Sequence, residues 1–275
     1  SRAKHIPTIP ENPVWSDFRQ YLEEASNTLR PHMLPFAWNA KDAAISYIDL
    51  SKTYCWLIMG KARVGKTNLL KVLATSAARS LSERYILDFS GNKLRKFANE
   101  NQSVYISDAK ELFEALKSLI PKFKERNVKK QELLAAGLDD PEVFTQMQEF
   151  SPIFLFIDNL DDFMKIVYTP PEEVGAMAGF IENITEKGYL HNIFIFAGYD
   201  YSSAAHCTGR KAFNHFTSYK AGILLGGNTA SQRILDFSTL PYSAQSKVTK
   251  PGTGLIPPNE YLPAPQEVII PLLKG

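Results

Sequence analysis

Cys55-Trp-Leu-Ile-Met59 is an unbroken apolar run, and Gly60-Lys61-Ala62-Arg63-Val64-Gly65-Lys66-Thr67 follows it directly. A run of five apolar residues closed by glycine reads as a strand buried on both faces. The segment from Lys66 to Leu81 then carries a helical pattern. The eight residues between fit G-x-x-x-x-G-K-[ST], and they sit where that motif works, between a buried strand and the start of a helix. The glycines let the backbone wrap an anion, and the backbone N–H groups and the helix N-terminus direct positive dipoles at it. In such a loop Lys66 reaches the β- and γ-phosphates, and the Thr67 hydroxyl ligates Mg²⁺. The nucleotide-binding set expected from the spacing is Gly60, Lys61, Ala62, Arg63, Val64, Gly65, Lys66, Thr67 and Asn68, with ATP and Mg²⁺ as cofactors.

Working outward, a phosphate loop needs a second metal anchor at the end of a neighbouring strand. Ile153-Phe-Leu-Phe-Ile157 followed by Asp158 supplies one, about ninety residues after the loop. Asp158 is expected to hold the water shell of the metal, and Thr67 and Asp158 form the expected Mg²⁺ pair. Hydrolysis further needs a group that orients the attacking water. Many ATPases with this loop carry Glu directly after the anchoring Asp; here that position is Asn159. An amide can orient water but cannot take its proton. Lys66, Asp158 and Asn159 are therefore the candidate catalytic residues, and fast turnover is not expected. Asp161 and Asp162 are candidates to replace the missing carboxylate, or are simply acidic residues of a loop or helix cap. Arg210 and Arg233 are candidates to act on a neighbouring subunit's nucleotide, or are ordinary surface arginines.

The rest of the chain repeats the strand–helix alternation. Ile45–Leu50 and Tyr85–Phe89 read as strands, Ala109–Lys124 as an amphipathic helix, and Lys129–Gln148 as a charged helical excursion broken at Gly137–Pro141. A helix is expected at Glu172–Glu186 and strands at Asn192–Ala197 and Gly222–Leu225. Such alternation predicts an α/β fold with a mainly parallel central sheet flanked by helices. Residues 1–40 read as an N-terminal linker and helical extension, with Trp15, Phe18, Leu22, Ala25 and Leu29 at helical spacing; residues 41–275 form the main domain.

Composition sets the outer limits. The 275 residues are 44% hydrophobic and 22% charged, enough to build a core. Lys plus Arg total 31 against 29 Asp plus Glu, a net charge of +2, which gives no global support for nucleic-acid binding. Lys122, Lys124, Lys129 and Lys130 read as solvated helix faces and not as a DNA track. Two cysteines, Cys55 and Cys207, are too few for a disulfide framework and suit a reducing compartment. No apolar run reaches membrane-spanning length. The start at Ser-Arg-Ala suggests a piece of a longer protein.

With these residues in place, the sequence resembles the FtsK/SpoIIIE branch of P-loop ATPases, and more narrowly the last ATPase domain of the EssC/EccC type VII secretion ATPases. The resemblance runs through most of the chain. Ile6-Pro-Thr-Ile-Pro-Glu11 with Phe18 is similar to the family's linker into a new ATPase domain. Asp88-Phe89 with Gly91 and Leu94 is similar to a recurring D-F-x-G segment. Gly222–Gly226 and Lys250-Pro-Gly-Thr-Gly254 resemble late segments, the latter with Thr253 in the position of an arginine. The resemblance implies a RecA-like, FtsK–HerA type P-loop NTPase fold. It implies hexamers when full length, further ATPase domains in the same chain, and a place at the cytoplasmic face of the cell membrane. It also implies export of WXG100-family proteins, recognised through a C-terminal signal tail. Phe213, Phe216 and Tyr219 are one candidate peptide-binding stretch, with core packing as the plainer reading.

Three functions follow. The leading one is an ATP-binding domain of a secretion motor with weak or conditional hydrolysis. The second is a DNA-translocating motor of the same superfamily, which the near-neutral charge disfavours. The third is a recruiting module that binds nucleotide without hydrolysing it.

Overall fold

The computed structural model describes residues 8–260 and 262–274. Ile6 and Pro7 of the proposed linker lie outside them.

The chain runs α1 (Trp15–Glu24), β1 (Met33–Asn39), β2 (Ile45–Asp49), β3 (Cys55–Met59), α2 (Lys66–Ala77), β4 (Glu83–Leu87), α3 (Arg95–Glu100), β5 (Val104–Ile106), α4 (Ala109–Ala135) and α5 (Asp140–Met147). It continues through β6 (Ile153–Ile157), α6 (Leu160–Tyr168), α7 (Ala178–Lys187), β7 (Ile193–Tyr199), α8 (Lys211–Ser218), β8 (Gly222–Leu225), α9 (Tyr242–Gln245), β9 (Thr253–Ile256) and β10 (Gln266–Ile269). Among the described residues the strands join one sheet in the order β2-β1-β10-β9-β8-β3-β7-β6-β4-β5. From β8 to β5 every neighbouring pair is parallel. From β8 through β9, β10 and β1 to β2 every pair is antiparallel. The expected mainly parallel sheet is present, and an antiparallel wing extends it.

The parallel strands are buried on both faces because helices cover both. Side chains alternate across a strand, so Cys55, Leu57 and Met59 of β3 and Ile153, Leu155 and Ile157 of β6 join one core with α4, α6, α7 and α8. The residues between them, Trp56, Ile58, Phe154, Phe156, Phe194 and Phe196, build a second core against α2, α3 and α5. The Phe154 and Phe156 rings stack with Phe194 and Phe196 at centroid separations of 5.2 to 6.3 Å.

Several boundaries differ from the sequence reading. α4 runs on to Ala135 through Pro121; that proline is exposed, so the carbonyl it leaves unbonded faces solvent. α7 starts at Ala178, six residues later than expected, because Pro170-Pro171 and a tight turn precede it. At Gly175 in that turn a side chain would meet the Phe113 ring of α4 at 2.5 Å. Lys130 is not a solvated residue. Its ammonium donates to the Lys187 and Tyr189 carbonyls, and Arg126 one turn earlier donates to those of Ser151, His191 and Asn192. These two buried cations fix α4 to the start of β7. Phe18 and Leu22 of α1 pack on Trp38 of β1, so the helix at the start of the chain lies on the sheet's antiparallel wing.

β3 and β4 are consecutive in sequence, yet β7 and β6 lie between them in the sheet. The strand order therefore reverses beside β3, and the crevice at the C-terminal ends of β3, β7 and β6 is the usual ligand position in an open α/β sheet.

Candidate functional site

The loop leaves β3 at Gly60. A side chain there would collide with the Leu225 carbonyl and with Val64 Cγ2, so this close approach admits only glycine. Gly65, immediately before α2, has φ +103°, and Arg63 is held at φ +66°. The loop thus curls at the first turn of α2, with Lys61, Ala62, Arg63 and Gly65 exposed.

Lys66 points back into this curl. Its Nζ donates to the Gly60 carbonyl at 2.7 Å and the Lys61 carbonyl at 2.6 Å, and lies 4.0 Å from an Asp200 carboxylate oxygen. Burial lowers the ammonium's pKa from its ordinary value, against the opposing pull of Asp200 and Asp158. Thr67 donates its hydroxyl to Asp158 Oδ1 at 2.7 Å, across 91 residues of sequence. Asp158 follows β6 and is buried; burial raises its carboxyl pKa, and the Thr67 hydrogen bond works against that rise. β7 passes directly beside it, since a side chain at Gly198 would collide with the Asp158 carbonyl.

The oxygen pair Thr67–Asp158 fits a hard divalent cation such as Mg²⁺, with phosphate and water oxygens completing the shell. The ammonium of Lys66, resting on two carbonyls inside the curl, fits a cradle built for phosphate oxygens.

The residues after Asp158 are engaged elsewhere. Asn159 caps α6: its Oδ1 accepts from the Asp161 N–H at 3.0 Å, and its Nδ2 donates to Asp162 Oδ2 at 2.8 Å. Asp161 accepts the backbone N–H groups of His206 and Cys207 on one oxygen and pairs with His206 Nδ1 at 2.7 Å on the other. Burial pushes its pKa up, but the hydrogen bonds from His206 and Cys207 outweigh this and hold it below the usual carboxylate range. Asn68 does not turn its side chain to the loop; its amide bonds to Pro271 and Leu273.

Residues named on other grounds lie apart from the crevice contacts. The Arg210 guanidinium stacks on Tyr168 at 4.7 Å, and Arg233 is exposed at the rim of a cavity with Gln232 and Asp236. Phe216 is buried, Phe213 packs on Tyr199, and Tyr219 donates to the Thr185 carbonyl, so that stretch is core. Thr253 bonds the Lys250 carbonyl within its own turn.

Asp200 was not singled out by sequence. It carries the same signal as Asp158, a carboxylate closing a buried strand, but β7 runs through Tyr199, two residues beyond its expected end. The Asp161–His206 pair joins residues 45 apart and has no local signature.

No family model matches the chain. It is 25% identical over 274 residues to the ESX secretion system protein YukB of Bacillus subtilis (strain 168), a match that covers 98% of this chain and 17% of that protein. In fold it is similar to the cytoplasmic domain of EssC, with TM-score 0.78 and 18% identity, covering 100% of this chain and 50% of that one. A second similar structure is Thermomonospora curvata EccC (ATPases 2 and 3) in complex with a signal sequence peptide, with TM-score 0.68 and 13% identity, covering 99% of this chain and 45% of that one. The chain thus spans half or less of the length of each of these three. Along almost its whole length the chain is similar in sequence to the ESX secretion system protein YukB and shares the fold of the EssC and EccC structures.

Proposed function

We propose that this chain is the ATP-binding C-terminal domain of a type VII secretion motor, built to bind nucleotide firmly and to hydrolyse it slowly or only when partners complete the site. The observation that carries the reading is the Thr67–Asp158 hydrogen bond at the head of the curled loop, with Lys66 beside it. In this reading the backbone N–H groups from Lys61 to Thr67 cradle the phosphates. Lys66 leaves the Gly60 and Lys61 carbonyls to neutralise the β- and γ-phosphates, and Thr67 and Asp158 hold Mg²⁺. The metal supplies charge neutralisation at the phosphate oxygens. Slow turnover follows from the groups around Asp158. Asn159 lacks a basic atom and is engaged in a helix cap, Asp161 is held by the His206 and Cys207 backbone N–H groups and the His206 ring, and Asp162 accepts from Asn159.

The same reading makes residues 41–275 the ATPase domain proper and residues 1–40 its linker and helical extension, although β1 of that extension is built into the domain's sheet. It places further ATPase domains in the same chain, hexamers at full length, and WXG100-family substrates engaged through a signal tail at the cytoplasmic face of the membrane. The EccC relative bound to a signal sequence peptide supports the peptide partner. Among the described residues, no helix is long and apolar enough to cross a membrane. A non-hydrolysing recruiting module is the second reading, favoured by the same engagement of Asn159. A DNA translocase is less well supported, since Lys122 pairs with Glu83, Lys129 with Glu149, and Lys130 is buried.

Titration calorimetry with ATP and Mg²⁺ on the wild type and on Lys66→Ala tests the binding step. Saturable binding that is lost in the variant is the expected result. Equal binding by both proteins, or none by either, would remove the phosphate loop from the account.

A further inference from the structure

The two ends of the described chain meet beside the first turn of α2. Val14 and Leu272 form a parallel bridge. The Trp15 N–H donates to the Leu272 carbonyl at 3.0 Å, and the Leu272 N–H donates to the Pro13 carbonyl at 2.9 Å. Asn68, two residues beyond Lys66, bonds this pair from the other side. Its Nδ2 donates to the Pro271 carbonyl at 3.0 Å, and its Oδ1 accepts the Leu273 N–H at 2.9 Å. One side-chain amide therefore stands in for the edge of a strand. Trp15, Leu273 and Val64 of the loop also pack against the same core cluster, which contains Leu69 and Leu70 of α2.

We infer that Asn68 is a positioning residue that couples occupancy of the phosphate loop to docking of the 13–15 and 271–273 segments. The inference rests on the nucleotide-binding reading above. Asn68 lies in the helical turn whose free N–H groups form the anion site. Phosphate bound there fixes the turn, and the turn fixes the amide. The docked pair is held by a few part-buried hydrogen bonds, and Leu272 is half exposed, so its opening involves few contacts and belongs to local rather than global motions. A ligand that fixes Asn68 favours the docked state, and docking must favour the ligand by the same factor. A tug on either terminal segment would in this way reach the nucleotide without touching it.

Hydrogen exchange with and without ATPγS and Mg²⁺, with calorimetry on the same samples, tests this. In wild type, peptides covering 13–15 and 271–273 are expected to exchange several-fold more slowly with nucleotide bound. In Asn68→Ala that response disappears and nucleotide Kd rises about fivefold or more. Leu272→Pro, which removes the N–H bonded to Pro13 and touches no loop residue, is expected to weaken nucleotide in the same direction. A purely structural Asn68 would lower stability without making exchange at 271–273 depend on nucleotide. Clear nucleotide binding with unchanged exchange in both segments would overturn the coupling alone. No binding by wild type would overturn the nucleotide reading and the coupling with it.

Discussion

The Thr67 hydroxyl donates to Asp158 Oδ1 at 2.7 Å, so residues 91 apart in sequence, one in the first turn of α2 and one just after β6, present one oxygen pair at the mouth of the crevice. In Thr67→Ala, Asp158 keeps its buried place and loses that donor, costing about 1 kcal/mol of stability. Nucleotide affinity is expected to fall tenfold or more in Mg²⁺ and much less in EDTA. Titrations in the two buffers check this; an equal loss in both would mean that Thr67 does not serve the metal.

Asn159 acts as a helix cap. Asn159→Ala is expected to cost about 1 kcal/mol in chemical denaturation and to leave nucleotide affinity unchanged. Asn159→Asp keeps the cap oxygen but replaces the amide that donates to Asp162 with a second carboxylate, and is expected to be destabilised as well, more so as pH rises through the carboxylate range. A large drop in affinity for either variant would place Asn159 on the nucleotide instead.

Helix α6 shows how far the sequence could be read. Its signals were present: a capping Asn159, acidic residues in the first turn, and Leu160, Phe163, Met164 and Val167 on one face. The segment is only nine residues long, and its polar start, Asn159 with Asp161 and Asp162, is equally that of an acidic loop after a strand, so the pattern alone does not single out a helix. The strand–loop–helix around Gly60 and the strand before Asp158 were legible, since an apolar run ended by a special residue has few alternatives. The wing of β1, β9 and β10 was not. β9 and β10 have four residues each, Pro35 lies at a bulge inside β1, and β1 finds its partner β10 more than 200 residues away. Asn68 matched a binding motif, but its hydrogen bonds run to residues more than 200 positions away.

His191 is fully buried against Phe123, at 4.6 Å between ring centroids, with neither ring nitrogen hydrogen-bonded. Burial, reinforced by Lys130 and Arg126, lowers its pKa to about 3. The unfolded chain takes up a proton near pH 6.5 and the folded chain does not. Stability from this group is therefore full above pH 6.5 and falls as pH drops toward 3, by about 2 kcal/mol at pH 5. Denaturation of wild type and His191→Phe between pH 7.5 and 5 should show a smaller loss for the variant. Parallel curves would refute the assignment.

Cys55 and Cys207 are buried, and burial raises both thiol pKa values; Asp161 adds to the rise at Cys207. Neither is expected to react with a thiol reagent at pH 7.5 while the chain is folded, and both should react in denaturant. Rapid labelling of Cys207 in the folded protein would show that the loop after β7 opens from Asp161.

Gly198 lets β7 pass the Asp158 backbone. Gly198→Ala forces these strands apart and is expected to cost about 2 kcal/mol or more, with nucleotide affinity falling alongside. Thermal unfolding and titration of the variant check both effects.

Steady-state phosphate release at saturating ATP and Mg²⁺, on wild type shown to bind nucleotide, tests the central claim most directly. The account predicts turnover far below the range of about 1–10³ s⁻¹ usual for enzymes, with binding intact. Release within that range, abolished by Lys66→Ala, would contradict it and make this domain a working motor without a carboxylate at position 159.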